Sequence, residues 1–146
     1  MKQLAIFNYA SRLREIGNAF ILAELEKAGL RDIAPSHGDV LGQLLTCDSR
    51  NMGDLALHAH RTKSTVTALV TKLEKNGYVE RIPDPEDSRG VKVRLTEKGR
   101  ALKPAFDAVS DGLQGMITDR LSEKEALQLE TLLARCVEPQ PRKKAR

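Results

Sequence analysis

The strongest constraint on this chain lies between Thr62 and Leu95, where the apolar period switches from helical to alternating across a single glycine. Val66, Leu69, Val70 and Leu73 recur at i, i+3, i+4 and i+7, the spacing of a helix with one buried face. Gly77 ends that run as a C-terminal stop. Tyr78, Val79 and Ile82 then read as one short strand, and Val91, Val93 and Leu95 alternate with Lys92 and Arg94 in a second. Residues 83–90 between them are rich in Pro, Asp and Gly, the composition of a hairpin loop. A helix over about 62–76 running straight into a β-hairpin leaves few folds open.

The flanks narrow the choice. Asn51 and Asp54 can cap a short helix carrying Leu55, Ala56 and Ala59, about three residues before the next helix begins, which is helix-turn-helix spacing. Upstream, Ser36 and Asp39 resemble a capping pair for a helix with Val40, Leu41, Leu44 and Leu45, ending near Cys47. Residues 3–28 form one long helix stopped by Gly29. Thr96 opens a helix to about Leu121, with a kink or broken start expected at Pro104, and Ser122 with Glu125 is a capping box for a last helix ending near Val137. Pro139 and Pro141 terminate the fold.

The expected class is mostly α with a small β-hairpin wing: one domain over 1–146, a winged helix-turn-helix module over about 36–103, and helices 3–28 and 104–137 outside it. A basic tail over 138–146 completes it. Aromatic residues are only 3% of the chain, in keeping with helices rather than sandwiches or barrels. About half the length goes into terminal helices whose apolar faces need another surface, and a two-fold partner provides one, so a homodimer is expected.

Net charge is +4, but Arg142, Lys143, Lys144 and Arg146 account for all of it. The distribution is more informative. Residues 61–103 hold eleven basic and six acidic side chains, a local excess suited to duplex phosphates. Within the 62–76 helix, Ser64, Thr67, Ala68, Thr71 and Lys75 share the face opposite the apolar stripe, and that face carries no acid. Short hydroxyl and methyl side chains let a helix sit deep in a major groove, with Ser or Thr bonding base edges or phosphates and Ala or a Thr methyl touching thymine. Lys63 and Lys72 flank the face.

These residues carry a family resemblance. Asp54-Leu55-Ala56, Thr62 to Thr67, and Leu73 to Arg81 resemble the helix-turn-helix of the MarR family of bacterial regulators. Asp84, Asp87, Ser88, Arg89, Val91, Val93, Leu95, Thr96, Glu97, Lys98 and Gly99 resemble its wing. The resemblance implies a homodimeric transcription regulator, a repressor of a pseudo-palindromic operator on double-stranded DNA, with a recognition helix in the major groove and a wing in the minor groove. It also implies release by a small aromatic ligand held between the dimerisation helices and the DNA-binding module. The DNA-binding set expected on that basis is Arg61, Lys63, Ser64, Thr65, Thr67, Ala68, Thr71, Lys72 and Arg89. Arg81 and Asp87 support the wing, Asp87 by holding the guanidinium of Arg89 or Arg81. Ala59, His60 and Arg61 depart from the family's turn of apolar residue, glycine and apolar residue. His60 is expected to take a left-handed backbone, and Arg61 to lay its stem over the core with its head at a phosphate.

Other classes find less support. No Gly-rich phosphate loop, H-E-x-x-H pair or G-x-S-x-G elbow is present, and no enzyme activity, cofactor or metal is expected. Three alternatives stay open: a metal-responsive regulator using His37, Asp39 and Cys47, a redox-responsive one using Cys47 or Cys136, and a winged helix that binds protein. Both thiols are expected to be reduced and buried. Tyr9, Arg12, Phe20 and His37 are candidates to line an effector crevice. The absence of a signal-like or membrane-spanning stretch points to the cytoplasm.

Overall fold

The computed structural model describes residues 4–138. The chain divides into two compact units, Met1–Val109 and Ser110–Arg146. The first begins with α1 (Ile6–Lys27), which ends as expected: Gly29 has φ +73° and the Leu30 N–H closes back onto the Leu25 carbonyl at 2.9 Å. A 3₁₀ turn, Pro35–His37, then leads into α2 (Gly38–Leu44). The expected Ser36–Asp39 capping pair does not form. The buried His37 ring takes that place, its Nδ1 accepting the Ala34 N–H at 3.0 Å.

β1 (Arg50–Asn51) precedes α3 (Met52–Ala59) and α4 (Lys63–Lys75), and the hairpin consists of β2 (Val79–Pro83) and β3 (Val91–Leu95). The sheet is antiparallel in the order β1-β3-β2, with Arg50 opposite Val93, and Val79, Arg81 and Pro83 opposite Leu95, Val93 and Val91. β1 was not anticipated, because two residues carry no period. Asn51 caps α3 by accepting the Asp54 N–H at 2.8 Å, and Thr62 caps α4 by accepting the Thr65 N–H at 3.3 Å. Gly77, with φ +81°, turns the chain from α4 into β2.

Where one helix was read from Thr96 to Leu121, the structure has two. α5 (Glu97–Arg100) stops after one turn, and α6 (Lys103–Thr118) starts just before Pro104, the broken start the proline predicts. Gly99 sits so close to β2 that a Cβ there would collide with the Tyr78 carbonyl oxygen. Thr96 fixes this corner by donating to the Gly77 carbonyl and accepting the Gly99 N–H.

In the second unit, α7 (Glu123–Val137) opens on the expected capping box, with Ser122 Oγ accepting the Glu125 N–H at 3.3 Å and Glu125 Oε2 accepting the Ser122 N–H at 2.9 Å. The basic tail from residue 139 onward lies outside the described residues.

The core belongs to the winged helix. Val40 and Leu41 of α2, Leu55 of α3, Val66, Val70 and Leu73 of α4, and Val79 and Val93 of the sheet are fully buried. Each contributes about 1.5–3 kcal/mol relative to exposure, so α4 is held by its inner stripe and its outer face is free for other work. No helix among the described residues is long and apolar enough to cross a membrane.

Candidate nucleic-acid interface

The turn between α3 and α4 is set by His60, at φ 53° and ψ 40°, a left-handed conformation that histidine tolerates better than bulkier or β-branched residues. The Arg61 N–H reaches back to the Ala56 carbonyl at 3.1 Å, closing α3 before Thr62 starts α4. Arg61 finds a partner that was not anticipated, a carboxylate of α2. Its side chain is 48% exposed and its Nε lies 3.1 Å from Asp39 Oδ2. A guanidinium has five donors to satisfy, and the nearby carboxylate of α2 serves one of them better than an apolar surface could.

The structure brings the expected recognition set together on one side of α4. Lys63, Ser64, Thr65, Thr67, Ala68, Thr71, Lys72 and Lys75 are all exposed, whereas Val66, Val70 and Leu73 are buried and Leu69 is half-buried. Thr67 donates its hydroxyl to the Lys63 carbonyl at 2.8 Å, and Thr71 donates to the Thr67 carbonyl at 2.8 Å. Ser64 stays near the cap, its Oγ 3.1 Å from Thr62 Oγ1. Lys72 and Lys75 occupy the last turn, where cations complement the helix dipole.

Arg81 of β2 was read as a wing residue held by Asp87. The structure turns it the other way: its Nη2 donates to Thr71 Oγ1 at 3.0 Å and its Nη1 lies 4.0 Å from Glu74, so it ties the hairpin to α4. Asp87 likewise has a different task. Its Oδ1 accepts the Arg89 backbone N–H at 3.0 Å, while Asp84 Oδ1 accepts the Glu86 N–H at 2.9 Å. Both carboxylates shape the backbone of loop 84–90, as Asp does in turns, and leave the exposed Arg89 side chain at the tip unguided by Asp87.

Residues singled out for other chemistry fall elsewhere. His37 is 2% exposed and serves as a cap; burial and the Lys72 charge lower its pKa against a small opposing pull from Asp32. Tyr9 and Arg12 are exposed on α1 and Phe20 is half-buried. No group of three His, Cys, Asp or Glu that could hold a metal occurs among the described residues. Cys136 is exposed, not buried, because α7 buries none of its residues. Cys47 is half-buried in a polar setting, donating to the Gln43 carbonyl at 3.2 Å and facing Arg50 Nε at 3.3 Å.

Contacts of three residues that hold the site in place were not anticipated: Tyr78 was read as a strand residue, Lys98 as part of the wing pattern, and Asp32 not at all. Tyr78, 3% exposed, donates its hydroxyl to Asp32 Oδ1 at 2.8 Å; burial and that bond push its pKa up to about 12. Lys98 caps α4 by donating to the Asn76 carbonyl at 2.7 Å and lies 4.3 Å from the Tyr78 ring centre. Lys98 had a local signal in its place just after Thr96, but the Asp32 and Tyr78 contact spans 46 positions and carries none.

A recognition-type helix behind a three-residue turn, backed by a three-stranded sheet with a protruding hairpin loop, defines a winged helix-turn-helix protein. Residues 33–91 match the model of the MarR family. It is 41% identical over 61 residues to the HTH-type transcriptional regulator SarZ of Staphylococcus haemolyticus, covering 42% of each chain. The chain spans half or less of the length of the first curated relatives it matches. Among solved structures it is similar to a MepR–DNA complex from S. aureus, with a TM-score of 0.78 and 25% identity over 93% of this chain and 98% of that one. It is also similar to NadR in complex with 4-hydroxyphenylacetate, with a TM-score of 0.74 and 24% identity over 94% and 96%.

Proposed function

We propose that this protein is a homodimeric transcription regulator that binds a pseudo-palindromic DNA site in the cytoplasm and acts as a repressor, a binding protein and not an enzyme. The observation that carries the reading is the exposed face of α4 formed by Ser64, Thr67, Ala68, Thr71 and Lys75: small side chains and a lysine with no acid among them, Lys63 and Lys72 flanking, and the neighbouring Glu74 4.0 Å from the Arg81 guanidinium. Such a helix can approach the floor of a major groove while its lysines meet phosphates on either side. A winged helix used for protein contacts would present larger apolar side chains there.

In this reading Arg61, Lys63 and Lys72 contact phosphates, Ser64, Thr65, Thr67, Ala68 and Thr71 face the groove, and Arg89 enters the minor groove from the wing. An arginine suits that place, since a narrow groove concentrates negative potential. Residues 36–103 form the DNA-binding module, and α1, α6 and α7 make the dimer contacts. A small aromatic acid, of the kind found in the NadR complex, shifts the spacing of the two recognition helices and releases the DNA.

The test is a titration of a duplex, selected by the protein from a random-sequence pool, at several salt concentrations. Affinity should fall linearly with log salt, and Lys72→Ala should flatten that slope by about one unit. Salt-independent binding, or no enrichment of any sequence, would refute the reading.

A further inference from the structure

We propose that the centre of the α4 face reads the 5-methyl group of thymine, through Thr67 Cγ2, Ala68 Cβ and Thr71 Cγ2, and does not donate to base edges from the threonine hydroxyls. The proposal rests on the DNA-binding reading above and deepens it. Each threonine has one hydroxyl proton, and both protons are already committed to the helix: Thr67 Oγ1 donates to the Lys63 carbonyl at 2.8 Å and Thr71 Oγ1 to the Thr67 carbonyl at 2.8 Å. Arg81 Nη2 adds a bond to Thr71 Oγ1 at 3.0 Å. A guanidinium can only donate, so it occupies an oxygen lone pair and forces the Thr71 proton toward Thr67. Neither threonine keeps a hydroxyl proton to give a base acceptor, and the Thr71 oxygen also holds Arg81, so the γ-methyl is the group we assign to the base.

Thr67 and Thr71 stand one turn apart with Ala68 beside them, and together they line a shallow concavity on the helix surface bordered by Lys72, Lys75 and Asn76. A hollow lined by Ser64, Thr67, Ala68 and Thr71 beside lysines suits one feature of unmodified DNA: thymine alone projects a methyl into the major groove. Acceptor atoms there, such as guanine O6 and N7 or thymine O4, would need donors that these threonines no longer offer. Arg81 becomes a positioning residue in this arrangement, holding the Thr71 rotamer from the hairpin.

The experiment uses the selected duplex synthesised in two forms, with thymidine and with deoxyuridine, which differ only in the 5-methyl. It uses parent protein, Thr67→Val, which keeps a methyl and removes the hydroxyl, and Thr67→Ser, which does the reverse. Parent should bind the thymidine duplex tighter by about fourfold for each methyl buried. Thr67→Val should stay within about twofold of parent, and Thr67→Ser should lose about fourfold in affinity for the thymidine duplex and the same share of its preference over deoxyuridine, with Ala68 and Thr71 keeping the rest. Equal parent affinity for both duplexes overturns the proposal and leaves the DNA-binding reading standing. So does a Thr67→Ser that binds like parent beside a Thr67→Val that does not. Failure of the parent to bind any duplex overturns both.

Discussion

The α4 helix and the α7 helix are alike in sequence and opposite in fate. Both run about four turns, both open on a hydroxyl cap and both carry an apolar stripe at helical spacing. In α4 the stripe is closed: Val66, Val70 and Leu73 are 0% exposed. In α7 Leu127 is 59%, Leu132 47% and Val137 64% exposed, and α1 is similar, with Leu25 its one buried residue. The difference teaches that periodicity reports how many faces a helix has and not what covers them. The winged helix closes its core with its own strands and helices and with Leu25 of α1, while α7 and the rest of α1 keep apolar surface of the kind that a second copy covers in a two-fold dimer.

The largest effect should separate these regions. Leu73→Ala removes a fully buried side chain and should cost about 2–5 kcal/mol, lowering the melting temperature by the same amount at any protein concentration. Leu132→Asp, on the open face of α7, should convert a dimer to a monomer in sedimentation, lower the melting temperature and remove the fall with dilution that the parent dimer shows. If Leu132→Asp changes neither mass nor stability, the idea that α7 awaits a partner is broken.

What could be read in advance follows the same division. Helix positions and the hairpin were legible because period, caps and glycine stops are local: Thr62, Gly77, Ser122 and the Pro104 break all act within a turn of chain. The left-handed His60 was legible for the same reason. The outer face of α4 was legible as a list of residues but not as chemistry, since only the fold shows Arg81 reaching Thr71 ten positions back. The assignment of Asp87 to a guanidinium went astray because the short loop offered it a nearer donor, the Arg89 N–H. β1 and the His37 cap depend on partners that only tertiary packing supplies.

A middle-sized effect concerns pH at the root of the hairpin. Tyr78 has a pKa raised from 10.0 to about 12, so between those values the folded chain keeps a proton that the unfolded chain has lost. Stability should be intact below about pH 10 and fall as pH rises toward 12. Tyr78→Phe should abolish that fall and cost about 0.5–1.5 kcal/mol at neutral pH through the lost bond to Asp32. His37 works at the other end of the scale: its pKa lies below 6.5, so the unfolded chain takes the proton first and stability should decline as pH drops below that value. A chemical denaturation series from acid to alkali in parent and Tyr78→Phe reads both limbs. A flat alkaline limb in the parent would show that the Tyr78 bond to Asp32 does not hold in solution.

The smallest expected effect lies where the two regions of the winged helix meet the turn, at the ion pair of Arg61 and Asp39. The pair is short, at 3.1 Å, but the side chains are 48% and 31% exposed, so water screens most of its attraction. Its contribution to stability should be about 0.2–1 kcal/mol, measurable as the coupling in a cycle of Asp39→Asn, Arg61→Ala and the double variant. Its consequence for DNA binding has the opposite sign. Asp39 is a carboxylate beside a surface expected to approach phosphates, and it engages a guanidinium that could serve one of them. Asp39→Asn removes that negative charge and releases Arg61, so affinity for duplex should rise and the salt dependence should steepen by up to about one unit. Arg61→Ala should do the reverse with the same modest change in melting temperature. If Asp39→Asn weakens binding while stability is unchanged, Asp39 orients Arg61 for the phosphate instead of withholding it, and the turn is preorganised in the free protein in the way that the core face of α4 is.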